Sequence, residues 1–253
     1  MSSHLFIVTG ASRGMGAAIA GQLLDRPDTV LLGISRRDNP GLAERARASG
    51  STVLQWPTDL ADPLAAAARL RAWLDAQDGI GFATASLVNN AAALTRIGAL
   101  EDCNAEELSR AVRVGLEAPL LLMAAFLGAT AKWPGRRRVL NISSGLGRRA
   151  MAGQASYCAT KAGLDHLSRA AALDQAQQTR GATVVSLAPG VIDTDMQSEL
   201  RAARGDGFPE RDNFVRLKED GGLASPDEAA ARVIAWLERA DFGTSPVADV
   251  RDA

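Results

Sequence analysis

The sequence predicts an α/β domain, a doubly wound parallel sheet of about seven strands with helices on both faces. Three observations predict it. Short β-rich runs alternate along the whole chain with longer alanine- and leucine-rich stretches of helical period. Several strand runs are apolar nearly throughout, as strands covered on both faces must be. The first run leads straight into a glycine cluster that opens a helix. At 253 residues, 47% of them hydrophobic, the chain can bury one full core, so a single domain over residues 1–253 is expected.

The elements follow in order. LFIVT (5–9) is a strand, and the helical pattern over 14–26 begins with the glycines. TVLLGI (29–34) and TVLQW (52–56) are strands separated by a helix over 41–49, and a helix over 62–77 leads to the strand ASLVN (85–89). The helix over 104–131 holds the most apolar segment, Pro119 to Ala131, bounded by Glu117 and Lys132. That segment falls short of the roughly 20 residues a bilayer span needs, and it reads as a buried helix. The strand RVLNIS (138–143), a helix over 154–179, the strand TVVSLA (183–188), a helix over 226–239 and the short run PVADV (246–250) complete the pattern. GRRRV at 135–139 reads as a solvated turn ahead of its strand. Residues 192–225 form one long irregular connection, and connections of that length in compact domains usually serve function. This stretch is the candidate substrate lid.

With 28 basic against 29 acidic residues the formal charge is -1, which provides no basic field for nucleic acid. The start, MSSHLFIVTG, lacks the pattern of a secretory signal. Two cysteines, Cys103 and Cys158, fit a reduced protein without a disulfide framework, and a cytoplasmic location is expected. No His, Cys or carboxylate cluster has metal-ligand spacing, so no metal is expected. The expected partner is a small molecule rather than a membrane.

TGASRGMG (9–16) places Gly10, Gly14 and Gly16 around Ser12, Arg13 and Met15, between the first strand and a helix. Glycine permits the tight turn and close approach of a pyrophosphate, and the helix end offers free N–H groups and positive potential. The spacing is G-x-x-x-G-x-G, so the cradle is read from mechanism rather than from the common fingerprint. The second strand ends in GISRRDN, where Ser35, Arg36 and Arg37 stand in place of the acid that would bind the ribose 2′-OH of NAD. Arg36 together with Arg13 suits a 2′-phosphate and favours NADP, with Asp38 as the opposing signal.

ASYCATKAG (155–163) contains Tyr157, the one tyrosine, four residues before Lys161, one of three lysines. At this spacing both lie on one helix face, where an ammonium should favour the phenolate and lower its pKa. The pair reads as a tunable acid/base, with the Ser144 hydroxyl placed to bond a carbonyl oxygen. His4, His166 and Cys158 read as ordinary structural residues.

These segments resemble the short-chain dehydrogenase/reductase family over nearly the whole chain. TGASRGMG is similar to its glycine motif, LVNNAA to its N-N-A-G segment, ISS with YCATK to its serine, tyrosine and lysine, and APGVIDTDM to its P-G turn and threonine. The resemblance implies a Rossmann-type fold in which Tyr157 moves the proton, Ser144 polarises the carbonyl and Lys161 holds the nicotinamide ribose. It further implies that Asp59 and Leu60 flank the adenine, Asn90 lies by the adenosine ribose, and Val191 and Thr194, after Pro189, bracket the carboxamide. Two positions depart from the pattern: Ala92 replaces a glycine, and Gly115 replaces an asparagine that supports a proton-relay water. The segments APGVIDTDMQSELR and FVRLKEDGGLASPDEAA are similar to the sepiapterin reductase-like branch and its bacterial benzil reductases. That similarity implies NADPH-dependent reduction of an activated ketone such as a vicinal diketone. A sepiapterin-type or 3-oxoacyl-thioester reductase and a non-catalytic NADP-sensing or scaffold protein are the alternatives. A homodimer joined through the 104–131 and 154–179 helices is expected.

Overall fold

The computed structural model describes residues 3–203 and 208–252. Its strands are β1 (Ser3–Thr9), β2 (Thr29–Ser35), β3 (Thr52–Pro57), β4 (Phe82–Asn89), β5 (Arg136–Ile142), β6 (Thr183–Ala188) and β7 (Val247–Asp249). The helices are α1 (Gly14–Leu24), α2 (Pro40–Ser49), α3 (Pro63–Asp75), α4 (Ala105–Val112), α5 (Ala118–Ala129), α6 (Ala155–Ala176), α7 (Asp195–Ala202), α8 (Arg211–Glu219) and α9 (Pro226–Glu238). The seven strands are parallel, in the order β3-β2-β1-β4-β5-β6-β7. Parallel neighbours need crossovers, and the helices supply them. The order reverses between β1 and β4, which leaves a crevice at their carboxyl ends.

Alternate residues of β1 face opposite layers. Phe6 and Val8 join a core with Leu23 of α1 and Val233 and Leu237 of α9, while Leu5 and Ile7 join Leu70 and Leu74 of α3 and Leu122 and Phe126 of α5. Each fully buried side chain of this kind contributes about 1.5–3 kcal/mol relative to exposure. Several helix starts are written locally. Asn39 and Asp62 cap α2 and α3 ahead of Pro40 and Pro63, and Ser225 forms a capping box with Glu228 ahead of Pro226.

Three expectations are corrected. The single helix expected over 104–131 is α4 and α5 joined by a π turn, Arg113–Glu117, in which the Ala118 N–H bonds the Arg113 carbonyl. Pro119 has no N–H to offer Gly115, so the regular ladder cannot run through this point. The run Ala105–Ala129 is apolar and long enough to cross a membrane, yet half of its most apolar window is buried within this fold. The connection 192–225 is not irregular throughout, because it carries α7 and α8, whose Leu200 and Phe214 pack with Phe208. Residues 204–207 of the expected lid lie outside the described residues. GRRRV is not a solvated turn: Arg136 already starts β5, Arg137 is buried, and Arg138 is half-buried beneath α9, bonding the Leu237 carbonyl at 2.7 Å. Arginine tolerates such sites because its stem packs while its head finds a backbone acceptor.

Candidate active site

The crevice opens into a cleft of about 1190 Å3, lined from the carboxyl ends of the central strands, α6 and the α7–α8 segment. On leaving β1, Gly10 and Gly14 turn the chain into α1 with φ of +72° and +56°, a region costly for any side chain. Gly16 is fixed by space instead, since a Cβ there would lie 2.2 Å from the Gly10 carbonyl oxygen. Arg13 precedes α1 without capping it, so the first N–H groups of the helix have no side-chain acceptor. Bare donors over a glycine floor, beside Ser12 and Met15, fit a pyrophosphate.

Asn90 locks this loop to β4. Its Nδ2 donates to the Thr9 carbonyl at 3.0 Å, and the Asn90 and Ala91 N–H groups donate to Thr9 Oγ1 at 2.9 and 3.0 Å. Arg36 lines the cleft and is exposed, whereas Asp38 does not line it. Arg13, expected beside Arg36 at one phosphate, pairs across the cleft mouth with Asp195 at the start of α7. Asp59 accepts two hydrogen bonds from Arg110 Nη2, at 3.0 and 2.9 Å. Burial raises the Asp59 carboxyl, but the Ala61 N–H and Arg110 outweigh it and hold it below the usual carboxylate range. Leu60, Pro189, Val191 and Thr194 complete this wall.

At the other end, Ser144 accepts from the Leu146 N–H at 3.2 Å and caps the turn Gly145–Gly147. Tyr157 and Lys161 stand one turn apart on α6, as their spacing predicts. Lys161 is 3% exposed; its Nζ donates to the Ile142 carbonyl at 2.6 Å and lies 5.5 Å from the Tyr157 ring centroid. Burial pushes its ammonium down to about 8, opposed by Asp165. The expected lowering of the Tyr157 pKa is reversed. Part of the ring surface opens to the cleft, but protein surrounds it at longer range, and this burial pushes the phenol up to about 12 against the opposing Ser144 hydroxyl. The phenol is therefore protonated at neutral pH and can donate to an oxyanion. Ser144, Tyr157, Lys161, Arg36 and the glycines all line the one cleft.

Sequence reasoning missed the supports. Asp165, 1% exposed, accepts from Ser186 Oγ at 2.6 Å and pairs with Arg148 at 3.4 Å. Arg148 also donates to the Ala248 carbonyl at 2.8 Å, which ties the turn after Ser144 to α6 and β7. Arg110 likewise gave no local signal, since its partner lies 51 residues away. The outer wall is apolar: Met151, Leu200 and Phe214 line it with Leu146, Met196 and Leu217, and the buried Phe208 and half-buried Cys158 pack behind them. α7 and α8 lie in the stretch read as one irregular connection, and the meeting of their Leu200 and Phe214 with Met151 gave no local signal.

A phosphate cradle at the sheet's switch point, beside a serine, a protonated phenol and a buried ammonium, defines a nucleotide-dependent oxidoreductase. A family profile described as short chain dehydrogenase matches residues 4–205. The chain belongs to this family, whose members use NAD(P). It is 34% identical over 236 residues to a benzil reductase ((S)-benzoin forming) of Bacillus cereus, covering 93% of this chain and 94% of the relative. It is 32% identical to a sepiapterin reductase of Meriones unguiculatus, over 97% and 95% of the two chains. Among solved structures, a 3-oxoacyl-[acyl-carrier protein] reductase from Brucella melitensis in complex with NAD matches with a TM-score of 0.81 at 23% identity, over 99% and 96% of the chains.

Proposed function

We propose that this chain reduces one carbonyl of an activated ketone with NADPH, the preferred substrate being a vicinal diketone of the benzil type. The observation that carries the reading is the apolar lining that Leu146, Met151, Leu200, Phe214 and Leu217 give the cleft, backed by the buried Phe208, which suits aromatic substituents rather than sugars. The benzil reductase relative supports it.

The bound nicotinamide supplies the hydride. Gly10, Ser12, Gly14, Met15 and Gly16 hold the pyrophosphate, while Asp59, Leu60 and Asn90 border the adenosine. Pro189, Val191 and Thr194 border the carboxamide. Arg36 pairs with the 2′-phosphate, and Arg13 reaches it on leaving Asp195. Ser144 donates a hydrogen bond to the ketone oxygen and Tyr157 delivers its proton there as charge develops, so hydride plus proton converts ketone to alcohol. Lys161 holds the ribose and stabilises the phenolate left behind. Water replenishes the proton in place of the side-chain amide that Gly115 lacks. The protein acts as a cytoplasmic homodimer, with Val112, Leu120 and Leu173 exposed on the outer faces of α4, α5 and α6.

The test is consumption of NADPH and of NADH with benzil, a pteridine and a 3-oxoacyl thioester, with chiral analysis of the alcohol. Fastest turnover with benzil and NADPH supports the reading. Preference for the pteridine or thioester, or no turnover at all, overturns it.

A further inference from the structure

A second cavity, of about 320 Å3, lies at the amino ends of the strands, across the sheet from the catalytic cleft. The strand register explains its character. Thr29, His4, Thr84 and Arg136 are successive partners across β2, β1, β4 and β5, and Phe6, Ser86 and Arg138 form the next row on the same face. Deeper along this face Val8, Val88 and Leu140 are core residues beneath α1 and α9. At its amino end, polar side chains replace the apolar ones although the turn after α1 and the end of α9, with Arg26, Pro27, Leu237 and Glu238, still border the space.

The charges are unbalanced. Arg26 pairs with Glu238, the one acid of the lining. Arg138 meets only the Leu237 carbonyl and the Phe242 ring, at 5.5 Å, and among the described residues neither it nor Arg136 has a carboxylate within 4.0 Å. Burial and the neighbouring Arg136 both push the Arg138 guanidinium below its ordinary pKa. Thr29 is 2% exposed, and its Oγ1 has no hydrogen-bond partner. His4 Nδ1 lies 2.9 Å from Thr84 Oγ1, leaving its other ring nitrogen uncommitted. Arg138, half-buried beside the like charge of Arg136 and with no carboxylate partner among the described residues, is costly unless an anion neutralises it.

We propose that this cavity is a binding site for a small phosphate dianion, inorganic phosphate or a phosphomonoester, held by Arg136 and Arg138. The site is separate from the catalytic cleft and rests on none of the functional assignments above. A dianion suits it because two guanidiniums remain after Arg26 and Glu238 cancel, and because phosphate oxygens accept the geometry that guanidinium forks offer.

The experiment uses the holoenzyme with NADPH at saturation, so that the cofactor cleft is filled. Its melting temperature is followed against sodium phosphate, with sodium chloride at matched ionic strength as control. A saturable rise with phosphate alone is expected. Arg136→Ala, an exposed residue on a strand end, should move the half-saturation point at least about tenfold higher, the loss of one charge-assisted contact. Arg36→Ala should leave the response unchanged. An equal rise with chloride, an unchanged half-saturation in Arg136→Ala, or loss of the response in Arg36→Ala would each overturn the proposal, the last by assigning the effect to the cofactor cleft.

Discussion

Replacing Gly115 by asparagine restores the residue that the family commonly places there, and it should nevertheless harm the protein. Gly115 is buried in the π turn against α6, and a Cβ built on it lies 3.2 Å from Thr160 Cβ and 3.3 Å from both Cγ2 and Oγ1. Thr160 has little freedom to yield, being 4% exposed with its Oγ1 donating to the Tyr157 carbonyl at 2.9 Å. Asparagine adds three further heavy atoms beyond that Cβ. Overpacking of this kind costs about 1–3 kcal/mol, against a helix-propensity gain of a few tenths. The balance, about 1–2.5 kcal/mol, corresponds to a melting temperature roughly 2 to 10 °C lower for a chain of this size. Because Thr160 stands between Tyr157 and Lys161, its displacement should also leave turnover unchanged or reduced. Scanning calorimetry and steady-state kinetics on Gly115→Asn test this, with Gly115→Ala as the milder intermediate. A melting temperature at or above that of the parent, together with several-fold faster turnover, would show that the space behind Lys161 is open and refute the packing argument.

Tyr157→Phe should retain NADPH binding by fluorescence titration and lose about 10²–10⁴-fold in kcat, because the ring stays and the proton donor goes; retention of half the activity would remove Tyr157 from the mechanism. Arg36→Ala should raise the KM for NADPH about tenfold or more while leaving that for NADH nearly unchanged, since only NADPH carries the 2′-phosphate; equal effects on both would transfer the reading of the phosphate to Arg13 or Arg37. In the cofactor-free enzyme, Lys161 sheds its proton near pH 8 when folded but keeps it to 10.5 when unfolded, so the unfolded chain binds more protons in that window. Stability measured by urea titration should therefore rise with pH between those values, by up to about 1.4 kcal/mol per unit, and Lys161→Met should abolish the rise. Asp165→Asn should weaken the tie between the Ser144 turn and α6, lowering kcat more than KM and shifting the lysine titration further down.

The sequence alone determined what depends on near neighbours. Alternation of apolar strands with helical periods was enough for a parallel sheet, because each element must bury its own face whatever its partner. The glycine turn and the shared face of Tyr157 and Lys161 are likewise short-range geometry, fixed within one turn of chain. What only the tertiary structure decided are the meetings of residues far apart in the chain. The strand order brings Lys161 to the Ile142 carbonyl, and α6 with its surroundings buries Tyr157, which reversed the sign of its pKa shift: a nearby ammonium was legible, the extent of desolvation was not. Arg110 reached Asp59 and Arg13 reached Asp195 only because separate crossovers end beside the same cleft. The arginines of GRRRV read as solvated, since polarity is a property of the residue; strand pairing buried Arg137 and set Arg138 half-buried beneath α9 while leaving Arg136 exposed, since burial is a property of the fold.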